Sequence, residues 1–392
     1  MANPERWLVD TLGGQETSAG VRVNEATAMQ STAVYACVRI LSETLASLPL
    51  PVYQRLEGGG KERAPNHPLY TVLHDIANDE MTSYTLRETL MSHLLLWGNA
   101  YAEIEWNNAG EVRALWPLRP DQTLPQRNAE TQKLEYHTIL PDGTQVILPF
   151  ERVLHIPGLG FDGIIGYSPI AMAKQAIGLS LATEEFGARF FSNGARPSGI
   201  VEYPGKMSDQ AYERYKKDVE EKHQGLSKSH RIMILEEGLK YHQVGIPPED
   251  AQFLETRKFQ LNEIARIYRV PPHMIGDLER ATFSNIEHQS IEFVVHTVRP
   301  WLVRWEQAIK LKLFTPLERR RFFAEFVVDG LLRGDIKSRY DAYAVARQNG
   351  WMSANDIREL ENQNPIPGGD VYLVNGNMVP IDQAVKGGDA DE

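Results

Sequence analysis

The sequence predicts an α+β chain of more than one compact region, and three observations carry that prediction. Two early segments, 31–48 and 82–97, repeat apolar residues at three- and four-residue steps, the signature of amphipathic helices. Between Tyr101 and Ile156 this period gives way to short runs bounded by turn residues, as in antiparallel hairpins. Beyond Pro169, two long helical stretches bracket a small module of mixed texture.

In the first helix, 31-STAVYACVRILSETLASL-48, Val34, Cys37, Val38, Leu41, Leu45 and Leu48 form one apolar stripe. Pro49 and Pro51 stop it. A strand-like LPVYQRL and the loop 58-GGGKERAPNHP-68 follow. The second helix turns Leu86, Leu90, Leu94 and Trp97 inward and ends at Gly98-Asn99. The runs 100–106, 112–118, 133–140 and 144–150 then read as strands, with turns at Asn107–Gly110 and Asp142-Gly143.

Ser168 and Pro169 cap and open a helix of about 22 residues, ~33 Å long, through 192. It is dense in Ala171, Ala173, Ala176, Gly178, Ala182, Gly187 and Ala188, which let a neighbouring helix approach closely. A strand at 199–204, a charged helix at 208–225 and a strand at 231–244 make the small module. The helix 249–270 follows and is ended by Pro271-Pro272. After a loop at 276–283, Ser284 and Glu287 form a capping box for a long helix, 285–314, in which Pro300 predicts a kink. A strand-like 322–332 and helices at 335–350 and 353–362 complete the pattern. The Pro/Gly-rich tail from Pro365 reads as flexible.

Composition narrows the chemistry. At 392 residues, 42% hydrophobic and 24% charged, the chain can bury a sizeable core. One cysteine excludes an internal disulfide framework and every multi-cysteine zinc site, and fits a reducing compartment. Cys37 itself lies in the apolar stripe and reads as a core thiol. No run is long and apolar enough for a membrane span, and no secretory leader is visible. A net charge of −11 does not attract nucleic acid globally, although local basic rings remain compatible with it.

One motif competes for an enzymatic reading. Gly158, Gly160 and Gly163 in 158-GLGFDG-163 spell the G-x-G-x-x-G of a dinucleotide loop, with Glu184 about twenty residues on. A pyrophosphate, however, needs a helix that begins within the glycines. Here Ile164 to Ser168 intervene, and Glu184 lies inside the next helix. An NAD-dependent Rossmann-type oxidoreductase is therefore the alternative, not the expectation. An irregular flexible loop leading into a capped helix is favoured. No Walker A sequence occurs, since Gly60-Lys61 is followed by Glu62, and no H-E-x-x-H occurs. His223 and His230 read as solvated, His273 as structural, and 319-RRR-321 as a surface cluster. The expectation is of no catalytic residue, no metal site and no cofactor.

Four segments taken together resemble the portal, or head–tail connector, proteins of tailed double-stranded DNA bacteriophages. They are 31–55, 67–118, 166-GYSPIAMAKQAIGLSLATEEFGARFFSNGARPSGIV-201 and 252-QFLETRKFQLNEIARIYRVPPHMIGD-277. The resemblance runs in order over about residues 25–365 and lacks only a long C-terminal extension. It implies a non-enzymatic ring, commonly of twelve subunits, at the unique capsid vertex. It also implies a flexible arm (1–24), an α+β wing (25–168), a first stem helix (169–193) and a clip (194–247). A second stem helix (248–270), a tunnel-loop region (271–284) and a kinked wing helix (285–321) would follow. A short helical crown (322–364) and a flexible tail (365–392) would end the chain.

The same resemblance implies the partners: further copies of the chain, the terminase large subunit, a major capsid or scaffold protein and a head–tail adaptor. Double-stranded DNA would pass through without sequence readout, and no membrane is involved. The chain would reside at the portal vertex of the virion, and in host cytoplasm during assembly. Lys174, Glu279, Arg280, Thr282 and Phe283 are the expected channel residues. Glu213, Lys216, Lys217, Glu220 and Lys222 are expected to dock the motor or adaptor.

Overall fold

The computed structural model describes residues 17–140, 142–192, 199–202, 205, 208–210, 212–214, 217, 240–243, 250–278, 289–328, 336–361 and 363–373. The chain forms two compact units, 1–327 and 328–392.

In the first unit, α1 (Thr32–Ser47) is the predicted stripe helix, with Val34, Cys37, Val38, Leu41 and Leu45 all buried. It is followed by β1 (Val52–Arg55), β2 (Lys61–Arg63) and α2 (Pro68–His74). The second predicted helix is α3 (Ser83–Trp97), capped by the Thr82 side chain and closed by Gly98 in the left-handed region at φ 74°. Helices α1 and α3 pack along each other and form the centre of the unit.

The strands come next: β3 (Asn99–Trp106), β4 (Val112–Leu118), β5 (Thr123–Arg127), β6 (Leu134–Ile139), β7 (Gln145–Pro149) and β8 (Val153–Pro157). They make two antiparallel sheets, ordered β8-β3-β4 and β5-β6-β7. Tyr101, Leu118, Tyr136, Leu148 and Val153 from both sheets share one apolar cluster. Strand β5 is absent from the sequence expectation because Pro125 lies in its middle. As an edge strand that among the described residues bonds only to β6, it tolerates the missing donor.

Beyond the sheets, the predicted single helix 169–192 is two pieces, α4 (Pro169–Met172) and α5 (Lys174–Ser192), interrupted at Ala173. The short strands β9 (Gly199–Glu202) and β10 (Lys240–Gln243) pair antiparallel, and α6 (Asp250–Tyr268) packs on α5. Ser180 of α5 faces Ser31, and the Tyr268 hydroxyl of α6 donates to the Leu95 carbonyl. So α5 begins and α6 ends on the α1–α3 body, while β9 and β10 join their far ends.

Helix α6 stops before the prolines predicted to stop it. Arg269 takes the left-handed region at φ 55°, and the Val270 N–H bonds back to the Ala265 carbonyl, as in a Schellman closure.

The Pro300 kink takes a specific form. A π-helical stretch, Phe293–Val298, precedes α7 (Arg299–Lys312), and the Arg299 N–H reaches back five residues to Val294. Pro300 cannot donate to the carbonyl four residues back, and its ring would collide there; the wider turn absorbs both problems. The Ser284–Glu287 capping box lies outside the described residues.

Of the predicted strand 322–332, Phe322–Ala324 form β11, 325–328 are not strand, and 329–332 lie outside the described residues. Strand β11 pairs with β1, giving the sheet order β11-β1-β2. Residues 322–327 thus belong to the first unit, not to a separate C-terminal region. Part of the expected N-terminal arm is also seated. Thr17 is buried in the notch over Gly178, where a Cβ would lie 2.6 Å from its side chain, and the Ser18 N–H donates to Gln175.

The second unit holds α8 (Ile336–Gln348) and α9 (Ala354–Leu360), the latter opened by a Ser353–Asp356 capping box. Arg339 and Tyr343 of α8 both bind the Glu361 carboxylate, and Asn355 ties α9 to Ile366 and Asp370.

Lys312 is the most unusual charge in the first unit. Its buried amine donates to the Phe150 carbonyl and lies over the Phe150 ring, and burial lowers its pKa to about 7. The unfolded chain would release this proton near pH 10.4. Between these values the unfolded state binds more protons, so stability rises with pH from about 7 to about 10. Thermal unfolding scans should show that rise, and Lys312→Met should flatten it while staying folded. An unchanged pH profile in Lys312→Met would remove Lys312 as its source.

Candidate functional site

The glycine-rich stretch after β8 is where sheets, helices and chain reversal meet. The Gly158 N–H donates to the Gly98 carbonyl at 2.8 Å, and the Tyr167 N–H to the Leu159 carbonyl at 2.7 Å. Asn99 reads Gly166 from both sides: its Oδ1 accepts from the Gly166 N–H at 2.8 Å, and its Nδ2 donates to the Gly166 carbonyl at 2.9 Å. Asn99 Oδ1 also faces His155 Nε2 at 3.2 Å, so Nε2 carries the proton and Nδ1 accepts from the Tyr136 hydroxyl at 3.3 Å. Burial, reinforced by the nearby Lys312 charge, lowers the His155 pKa to about 3 and keeps the ring neutral.

The glycines are required by backbone, not by a ligand. A Cβ on Gly160 would lie 1.9 Å from the Ile165 carbonyl oxygen, and one on Gly166 would lie 2.1 Å from the Gly98 oxygen. On Gly98 it would meet the Tyr167 oxygen at 2.0 Å. In a dinucleotide loop this space belongs to the pyrophosphate; here the chain's own carbonyls fill it. The strands around it are antiparallel, and Glu184 sits within α5. The oxidoreductase alternative is therefore overturned. The expected flexible loop is an ordered joint. Ser168 caps α4 through the Ala171 N–H while donating to the Leu96 carbonyl, and Arg304 of α7 donates to the carbonyls of Pro157 and Gly158. Asn99 and Arg304 gave no signal in the sequence beyond a helix end and a charge on a helix.

From this joint the α5–α6 pair leaves the body. Lys174, expected at the channel, is the first residue of α5 and is half-buried. Glu279, Arg280, Thr282 and Phe283 lie outside the described residues. Glu213 and Lys217, expected to dock partners, are exposed. Lys216, Glu220 and Lys222 lie outside the described residues. Both long helices expose apolar side chains: Leu179 on α5, Phe259 and Ile267 on α6.

The family model described as phage portal protein matches residues 32–362. This chain belongs to the phage portal protein family. It is 37% identical over 369 residues to a probable portal protein of Streptomyces phage phiC31, covering 91% of this chain and 79% of that one. It is 33% identical over 363 residues to the portal protein of Enterobacteria phage HK97, covering 92% and 85%.

Among solved structures, the neck of an empty gene transfer agent particle, computed with C6 symmetry, matches with a TM-score of 0.61 at 25% identity. That match covers 93% of this chain and 95% of the other. A crystal structure of an HK97-family phage portal protein from Corynebacterium diphtheriae matches in fold, with a TM-score of 0.59 at 16% identity over 80% of this portal chain and 99% of that one. The portal chain is α+β as expected, and its role is the structural one of a tailed-phage portal protein rather than that of an enzyme.

Proposed function

We propose that the chain assembles with further copies of itself into a closed ring at the capsid's unique vertex and serves as the conduit for packaging and ejecting DNA. The observation that carries this reading is the α5–α6 pair. It projects from a body fixed by the glycine joint and exposes Leu179, Phe259 and Ile267 along its length. Such apolar side chains on adjacent helices suit a head-to-tail contact repeated by rotation, which closes into a ring. The C6 symmetry of the similar neck structure is compatible with a ring of twelve.

In this reading residues 25–168 form the wing, 169–193 and 248–270 the stem, and 194–247 the clip. Residues 271–284 form the tunnel-loop region and 285–321 the kinked wing helix; the short crown, expected over 322–364, is 328–364, because 322–327 belong to the first unit. Glu213, Lys216, Lys217, Glu220 and Lys222 on the clip dock the terminase large subunit during packaging and the head–tail adaptor afterwards. The outer body meets the capsid or scaffold protein. Lys174, Glu279, Arg280, Thr282 and Phe283 face the passing DNA, and the net charge of −11 keeps phosphate binding weak enough for sliding. Assembly takes place in host cytoplasm, and the finished ring resides in the virion.

Native mass spectrometry of the purified chain tests the ring. A closed assembly of about twelve copies of the 44.3 kDa chain is expected. Leu179→Glu should leave the circular dichroism spectrum and melting temperature within a few degrees of the parent while reducing the particle to monomers. A wild-type monomer under all conditions would sink the proposal. For the channel, Arg280→Ala should change packaged DNA length or retention; if both are unchanged, that residue has no such role.

A further inference from the structure

A cavity of about 660 Å³ opens beside the glycine joint, between the first turn of the α4–α5 helix and the edge of the β5-β6-β7 sheet. Its walls are mainly apolar, with Trp97, Tyr101, Leu124, Ile139, Phe161 and Tyr167 among the lining residues. Phe161 and Tyr167 stack at 6.0 Å on its rim, and Phe161 and Met172 remain 74% and 68% exposed. A cavity of this size, rimmed by large exposed apolar side chains, is built to be filled.

The described chain enters along the same wall. Thr17 occupies the notch over Gly178, and the Ser18 N–H donates to Gln175. The chain then runs to Glu25, which lines the cavity and faces the Ser168 hydroxyl at 3.4 Å. Gly178 lies two helical turns, roughly 10 Å, beyond the cavity-lining Ala171. The four residues between Leu12 and Thr17 span up to about 13 Å, enough to cover that distance, and Gly13-Gly14 allow the chain to reverse. The segment they would deliver, 6-RWLVDTL-12, contributes Trp7, Leu8, Val9 and Leu12. A tether this short holds its segment at an effective concentration on the order of millimolar, well above that of a free competitor.

We propose that the cavity is the seat of the chain's own residues 6–12, with the Trp7 and Leu8 side chains inside. Docking there would pin the N-terminal segment against the joint from which the α5–α6 pair departs. It would also cover the apolar rim without any second protein. This inference does not rest on ring formation.

The test is a disulfide trap in the full-length chain. Cys37 is fully buried and does not compete with introduced thiols. Under mild oxidation, Leu8→Cys with Leu124→Cys should give a peptide linking residues 8 and 124 within one chain. That link should form at least about tenfold faster than one between Leu8→Cys and a cysteine at Glu57 on an exposed loop. Equal rates would overturn the proposal, and so would a link found only between chains, which would give the seat to a neighbouring copy. A second readout avoids new cysteines: Trp7→Ala with Leu8→Ala should bind more of the apolar dye anilinonaphthalene sulfonate than the parent. Unchanged dye binding would show that those side chains do not fill the cavity.

Discussion

Gly98→Ala is expected to lower stability by roughly 4 kcal/mol, the sum of a left-handed backbone imposed on alanine and a side chain driven into the Tyr167 carbonyl. For a chain of this size that is a fall in melting temperature on the order of 10 °C. Gly166→Ala should be comparably harmful without any left-handed strain, because its Cβ would lie 2.1 Å from the Gly98 oxygen and 2.6 Å from the Gly158 nitrogen. Gly163→Ala supplies the control. It shares the left-handed conformation at φ 74° but faces open space, so about 1 kcal/mol is all it should cost. Calorimetry on the three variants separates space from strain. Near-parental melting of Gly166→Ala would mean that the joint is looser than these contacts require. The same series bears on the G-x-G-x-x-G spelling, since the glycine outside that motif, Gly166, should matter more than Gly163 within it.

Arg87→Met should cost about as much. Arg87 is buried in α3 with no carboxylate within reach of its guanidinium among the described contacts. Its two terminal nitrogens donate instead to the Leu73 carbonyl, in the last turn of α2, and to the Ala46 carbonyl, in the last turn of α1. One cation thus satisfies orphan acceptors at two helix C-termini, where the macrodipoles favour positive charge. That arrangement explains how burial can lower its pKa to about 10 without neutralising it at physiological pH. Removing the fork leaves two buried carbonyls unpaired, at about 1–3 kcal/mol each. Arg87→Lys should recover at most half of the loss, because one ammonium cannot span both helix ends. A urea titration decides: a midpoint shift in Arg87→Met equivalent to less than 1 kcal/mol would mean that water replaces the guanidinium.

The fold is legible wherever a local period or a turn residue carries it. The spacing of Val34, Cys37, Val38, Leu41 and Leu45 alone marks a helix face, and all five side chains are buried on it. The Asn107–Gly110 and Asp142-Gly143 signals mark hairpins that are antiparallel in the structure. Pro300 announces a disturbance, but its π-helical form depends on how the preceding turn can repack. Strand β5 is hidden because Pro125 argues against a strand unless that strand lies at an edge, and edge position is a property of the whole sheet.

The candidate site divides in the same way. Ser168-Pro169 marks where a helix begins, and α4 does begin there. The purpose of the glycines is illegible in the sequence, since a phosphate cradle and a backbone crossing require the same missing Cβ. Only the carbonyls of Gly98, Ile165 and Tyr167, brought from other positions in the chain, distinguish the two. Gly178 carries a similar lesson. It belongs to a run of small residues that suggests helix contacts between neighbours, yet this glycine holds Thr17 of its own chain.

By itself, then, the sequence determined the elements and the family, because periodicity, caps and ordered segments are written in neighbouring residues. Tertiary structure alone decided what Gly98, Gly166, Asn99 and Arg87 are for. Each acts on a partner distant in sequence, and such a partner exists only once the chain has closed on itself.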